Sequence, residues 1–148
     1  NYPGTITMQG KCFALTMFGV EAAYDGKTLY MYNAEVDELT LSNPTEQELL
    51  EANPFLYAKA LVDVCNITER AIYNGVQTLV TLTLKDQSIG IKRFTLKIKN
   101  TNLMPLQVEI KEGKQTTTLK LTKPAFVTTK QTYTITPDKD TYVNDMRY

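Results

Sequence analysis

The sequence predicts a mainly β protein with a small α component, built on antiparallel strands. Three observations carry this. Apolar and polar residues alternate strictly over much of the chain, as in Phe94-Thr95-Leu96-Lys97-Ile98-Lys99, and a period of two marks a strand with one buried face. Turn dipeptides punctuate the alternation at Asp25-Gly26 and Asn74-Gly75, where Gly readily takes a positive φ. Thr is the most frequent residue and nine Tyr stand beside it, and both types favour strands.

Taken in order, Ile6 and Met8 alternate with threonines until Gly10 breaks the run. Phe13, Leu15 and Met17 continue it as far as Gly19. Asp25-Gly26-Lys27 joins Val20–Tyr24 to Leu29–Tyr32 as a hairpin, and Asn74-Gly75 joins Glu69–Tyr73 to Val76–Leu84 in the same way. Between these hairpins the rhythm changes. Thr45 stands three residues before Glu48, the spacing of a capping box, and the acidic residues that follow suit the first turns of a helix. Pro54 is expected to end that helix, with a second short helix over Phe55–Leu61. The rest reads as a meander of four short strands. Its apolar positions are Phe94, Leu96 and Ile98, then Met104, Leu106, Val108 and Ile110, then Thr117, Leu119 and Leu121, and finally Tyr133 and Ile135. Roughly nine strands and one helical interruption result, without linker, repeat or low-complexity segment.

Composition narrows the chemistry. The 148 residues fit one domain over 1–148. Sixteen basic against sixteen acidic residues leave no net basic surplus for a nucleic-acid partner. Zero His excludes Ser-His-Asp and Cys-His catalysis and imidazole-dependent zinc sites. Cys12 and Cys65 form no CxxC pair and read as two unpaired cysteines. No apolar run approaches the length of about 20 residues that spans a bilayer. Asn66-Ile67-Thr68 has the form of a glycosylation sequon, relevant only in a eukaryotic secretory pathway.

Candidate catalytic groups are sparse. Asp37-Glu38 point to opposite faces of a strand, and Glu46, Glu48 and Glu51 read as the solvated side of a helix. Asp138, Asp140 and Asp145 lack the calcium-loop spacing and its glycine. Neither Ser42 nor Ser88 sits in a GxSxG elbow, and no phosphate-cradling glycine motif occurs. Lys92, Arg93, Lys97 and Lys99 occupy both faces of one strand, as solubilising charges do. An inward Leu, Ile, Phe or Met is by default ordinary core. Gly4, Gly10, Gly19 and Gly90 near strand ends allow the curvature that a cavity would need. Residue by residue, the sequence points to no catalytic group, no metal and no cofactor.

Several segments, in this order, resemble the LolA family of periplasmic outer-membrane lipoprotein carriers. They are Pro3-Gly4-Thr5-Ile6-Thr7-Met8, Lys11-Cys12-Phe13 and Asp25-Gly26-Lys27-Thr28-Leu29-Tyr30-Met31-Tyr32, then residues 35–41, 48–55, 94–98 and 143–148. The hairpin at 25–32 is the most specific of them. The resemblance implies an unclosed antiparallel β-barrel with a short helical lid over an apolar concave face. It implies a single lipid-binding domain lacking the family's N-terminal helix and first strand, with Lys11 near the place of a lid-latching arginine.

The function so implied is a periplasmic, monomeric carrier and not an enzyme. Its partners would be lipoprotein acyl chains, an inner-membrane lipoprotein-releasing ABC transporter and an outer-membrane acceptor. The cavity lining would comprise Phe13, Leu15 and Met17, with Phe94, Leu96 and Ile98 from a second strand. Met104, Leu106, Val108 and Ile110 would complete it, and Leu49, Leu50, Phe55 and Leu56 would form the lid. Two other readings stay open: a LolA-like lipid or lipoprotein sensor domain acting through a protein partner, and an enzyme using the same architecture.

Overall fold

The computed structural model describes residues 2–86 and 91–148. Ser88 and Gly90 lie outside the described residues. Eleven strands and two short helices are described. They run β1 (Gly4–Gln9), β2 (Cys12–Met17), β3 (Val20–Tyr24), β4 (Leu29–Asn33), β5 (Glu38–Ser42), α1 (Glu46–Ala52) and α2 (Pro54–Leu61). After a 3₁₀ turn at Val62–Val64 come β6 (Cys65–Ile72), β7 (Gln77–Leu84), β8 (Ile91–Lys99), β9 (Met104–Glu112), β10 (Gln115–Lys120) and β11 (Tyr142–Asp145). The protein is therefore mainly β, with antiparallel-rich sheets and a small helical part, and among the described residues neither sheet closes into a barrel.

The chain divides into two compact units. One comprises Asn1–Ala52 with Val127–Tyr148, the other Asn53–Phe126. The division also sorts the charge. The first unit carries eleven acidic against five basic residues, and the second carries eleven basic against five acidic.

The first unit holds a six-stranded sheet in the order β1-β2-β3-β4-β5-β11. Successive strands from β1 to β5 pair through short turns, and the β2–β3 turn sets Phe18 (φ 58) and Gly19 (φ 76) in the left-handed region. Gly4 lies so close to β2 that a Cβ there would run into the Thr16 carbonyl oxygen. Phe13, Ala22, Ala23, Tyr24, Leu29, Leu39 and Leu41 are buried. Burial of the consecutive Ala22 and Ala23 means that both faces of β3 are covered there.

β11 is the one parallel partner among the described strands, lying against β5 with Tyr142 opposite Glu38. Side chains anchor it: the Thr141 hydroxyl donates to Asp37 Oδ1 at 2.9 Å, and Asn144 Nδ2 donates to Glu38 Oε1 at 3.3 Å. The expected strand at Tyr133–Ile135 does not form, and residues 124–139 have no regular structure. Tyr133 is buried and Ile135 half-buried between exposed neighbours. The alternation there reports an extended chain with one side covered, but no described strand pairs with it.

α1 starts as its sequence requires. Glu48 Oε2 accepts from the Thr45 backbone N–H at 2.7 Å and its hydroxyl at 2.9 Å, while the Glu48 N–H donates to Thr45 Oγ1 at 3.3 Å. α1 stops at Ala52, before Pro54 as expected, and Pro54 also opens α2. Proline at a first helical position loses an N–H that would be unpaired anyway. The preceding Asn53 caps the helix, its Oδ1 accepting from the Phe55 N–H at 3.0 Å.

The second unit holds a five-stranded antiparallel sheet in the order β10-β9-β8-β7-β6. In register, Leu82 lies opposite Phe94 and Phe94 opposite Ile110, with Val80, Leu96 and Val108 aligned in the next row. These rows share one face. With Leu61 of α2, Cys65 and Leu84 they form a packed core against which Phe55 also rests. Near the start of β9 the register shifts between Lys97 and Ile98, so that Ile98 faces Pro105 and Lys99 faces Met104. This bulge breaks the expected run of Met104, Leu106, Val108 and Ile110 along one face.

Phe94 and Val108 are 1% and 0% exposed. Phe94→Ala is expected to cost about 3–5 kcal/mol of unfolding free energy in a denaturant titration. Thr45→Ala, which removes only the cap of α1, is expected to cost about 1 kcal/mol in the same measurement.

Candidate functional site

The residues expected to line one cavity divide between the two sheets. Phe13, Leu15 and Met17 lie on β2 of the six-stranded sheet. There Phe13 is fully buried, its ring centroid 6.1 Å from that of Tyr24. Phe94, Leu96, Ile98, Met104, Leu106, Val108 and Ile110 lie on β8 and β9 of the other sheet. Phe94 and Val108 belong to its packed core and Met104 is buried, while Leu96, Ile98, Leu106 and Ile110 are half-buried. The lid candidates divide likewise. Leu49 and Leu50 are half-buried on α1, and Phe55 and Leu56 half-buried on α2. Lys11 is exposed. Cys12 and Cys65 are both free thiols, and burial pushes the Cys65 thiol up.

Within the first unit the extended segment 127–134 borders a groove that the sequence alone does not reveal. The groove has a volume of about 610 Å³ and is lined by Gln9, Cys12, Asp25 and residues 127–134. Gln9 closes it like a short length of ladder. Its Nε2 donates to the Thr129 carbonyl at 2.9 Å, and its Oε1 accepts from the Gln131 N–H at 3.0 Å. A side-chain amide thus supplies the donor and acceptor that a neighbouring strand would otherwise offer.

Asp25 occupies the β3–β4 turn. Its Oδ1 accepts from the backbone N–H groups of Lys27 at 2.9 Å and Thr28 at 2.8 Å, and its Oδ2 from the Tyr30 hydroxyl at 3.2 Å. Burial pushes its carboxyl up, but these donors outweigh burial and hold it below the ordinary value. Burial pushes the Tyr24 and Tyr133 phenols up, helped in both by Cys12. Tyr133 is 6% exposed, and its hydroxyl has no hydrogen-bond partner among the described residues.

The groove offers amides, hydroxyls, the Asp25 carboxylate, the Lys130 amine and the Cys12 thiol, and the chain has no imidazole to take a proton from that thiol. No group of three or more His, Cys, Asp or Glu suited to a metal occurs among the described residues. A separate ion pair closes the C-terminal segment: Arg147 Nε donates to Asp145 Oδ1 at 2.8 Å, and the guanidinium holds the Asp145 carboxyl at about 2. No described helix is long and apolar enough to cross a membrane. No family model matches the chain, and no curated protein matches it.

A buried hydroxyl without a partner is a cost that substitution can remove. Tyr133→Phe is expected to leave stability unchanged or to raise it by up to about 1 kcal/mol, read by urea unfolding. Asp25 acts in the acid range. Because its folded carboxyl lies below the ordinary 3.8, its stabilisation is complete above about pH 4 and is lost as pH falls through the lower folded value. Asp25→Asn is expected to flatten the stability profile over that acid limb.

Proposed function

We propose that this chain is a non-enzymatic acyl-chain carrier similar in kind to the LolA carriers of the periplasm. In this reading it shields lipoprotein acyl chains from water between an inner-membrane releasing transporter and an outer-membrane acceptor. The finer fold, an unclosed barrel with a helical lid, belongs to the same proposal. One observation carries it. The apolar face of the five-stranded sheet is only partly covered: Leu96, Ile110 and Leu119 stay half-buried where they pack against its buried centre, and Ile98 is half-buried as well. Leu106, at the bulge of β9, is half-buried as well.

The lack of His supports transfer without chemistry. Energetics suit shallow binding. Burying a sixteen-carbon chain is worth roughly 12 kcal/mol gross, and ordering and association costs reduce that substantially. A carrier that must release its load gains from a surface that covers acyl chains only in part.

A fluorescent fatty acid titrated into the purified protein tests the reading. Saturable binding is expected, weakened roughly tenfold by Ile98→Gln or Leu106→Gln, since each removes apolar contact worth about 1.5 kcal/mol. Thr95→Gln, on the opposite face of β8, is expected to leave binding unchanged. Absent binding, or affinity indifferent to the two apolar substitutions in variants with a native melting profile, would sink the carrier assignment.

A further inference from the structure

We propose that the turn end of the five-stranded sheet docks onto an anionic lipid bilayer. The inference does not depend on the carrier reading. Two neighbouring turns make this end: 73–76 between β6 and β7, and 100–103 between β8 and β9. They present Tyr73, Val76 and Leu103 at 64%, 52% and 74% exposure. Asn100 ties the turns together. Its Nδ2 donates to the Gly75 carbonyl at 2.7 Å, its backbone N–H to the Val76 carbonyl at 3.0 Å, and its Oδ1 accepts from the Thr78 hydroxyl at 2.7 Å. The three apolar side chains therefore stand on a joined, pre-organised edge.

The backbone at these tips is costly for what it displays. Tyr73 (φ 50) and Leu103 (φ 57) adopt left-handed conformations that bulky side chains rarely take. Asn or Gly would turn the chain more easily, as Asn74 and Gly75 do beside them.

Charge supplies the second half of the argument. One row across the outer face reads Arg70, Leu79, Lys97, Gln107 and Lys120, and Lys99 stands closer to the turns. Lys97 lies three residues from Asn100, about 10 Å at ~3.3 Å per residue. That matches the depth of roughly 5–10 Å to which interfacial apolar groups sink below the headgroups. No Asp or Glu occurs in residues 70–79, 97–108 or 118–126. Glu69 takes the opposite face beside Val80, and Glu109 lies two residues beyond Gln107, farther from the turns. A nucleic acid would meet the cations but leave the apolar tips in water. An anionic bilayer satisfies both.

Co-sedimentation of the full chain with phosphatidylcholine vesicles, with and without phosphatidylglycerol, provides the test. Binding is expected only with phosphatidylglycerol present and is expected to weaken as salt rises. Lys97→Gln with Lys99→Gln is expected to weaken it roughly thirtyfold, at about 1 kcal/mol per charge. Tyr73→Asn with Leu103→Asn is expected to weaken it at least tenfold while the melting midpoint holds or rises, because Asn tolerates the left-handed backbone. No binding to either vesicle, or binding that the Asn substitutions leave intact, overturns the proposal. So does tighter binding to duplex DNA than to the anionic vesicles, since the face would then be a polyanion site.

Discussion

The second unit depends on one constraint: a sheet with an apolar face must have that face covered. Phe94 and Val108, at 1% and 0% exposure, are where this is met most fully, on central strands and beneath the helix that contributes Leu61 and Phe55. α2 is only eight residues long, so it covers the middle of the sheet and leaves the margins half-buried. The same constraint that makes the core stable therefore also creates the apolar margin on which the carrier reading rests. In the first unit the cover is of another kind. An irregular segment places Tyr133 in the core and relies on Gln9 for two backbone hydrogen bonds.

Much of this is legible in the sequence wherever the information is local. Alternation identifies β1–β4 and β7–β10, the Asp25 and Asn74 turns mark their hairpins, and the Thr45–Glu48 spacing produces the capping box seen in the structure. The rest depends on long-range pairing. β11 is four residues with little apolar alternation, and it finds β5 across a hundred residues through Asp37 and Glu38. Tyr133 and Ile135 alternate like a strand, yet their backbone does not join a ladder. Alternation reports one-sided burial, and only a partner makes that burial into a sheet. Met104 departs from its expected row for a related reason, since a bulge shifts its register without altering the sequence pattern. The groove has no local signature, because Gln9 and the segment it holds are some 120 residues apart.

The net charge shows how a whole-chain average can hide a local fact. Zero is the sum of an acidic unit and a basic one of equal excess, and within the basic unit the carboxylates avoid the turn end altogether. Arguments from net charge hold for the electrostatic field at long range. At contact distance, with screening over about 8 Å at physiological salt, the local row of Arg70, Lys97 and Lys120 governs what approaches. A chain neutral overall can therefore present a cationic surface to a partner that meets it at one end.

Three bulky apolar residues in left-handed backbone separate folding demands from display. Phe18 has an internal reason for its place, since its ring centroid lies 4.7 Å from that of Tyr2 and the pair joins the first residues to the β2–β3 turn. Phe18 is itself 61% exposed, and Tyr73 and Leu103, in the same left-handed region, are 64% and 74% exposed. A turn that needs positive φ is served at lower cost by Gly or Asn, and an exposed position by a polar residue. Where both economies are declined at two adjacent turns, and Asn100 fixes those turns to each other, stability of the isolated chain does not account for the choice. Strain of this kind clusters at functional sites, held in place by the structure around it, and here the surrounding side chains are cationic on one face and free of carboxylates throughout the end.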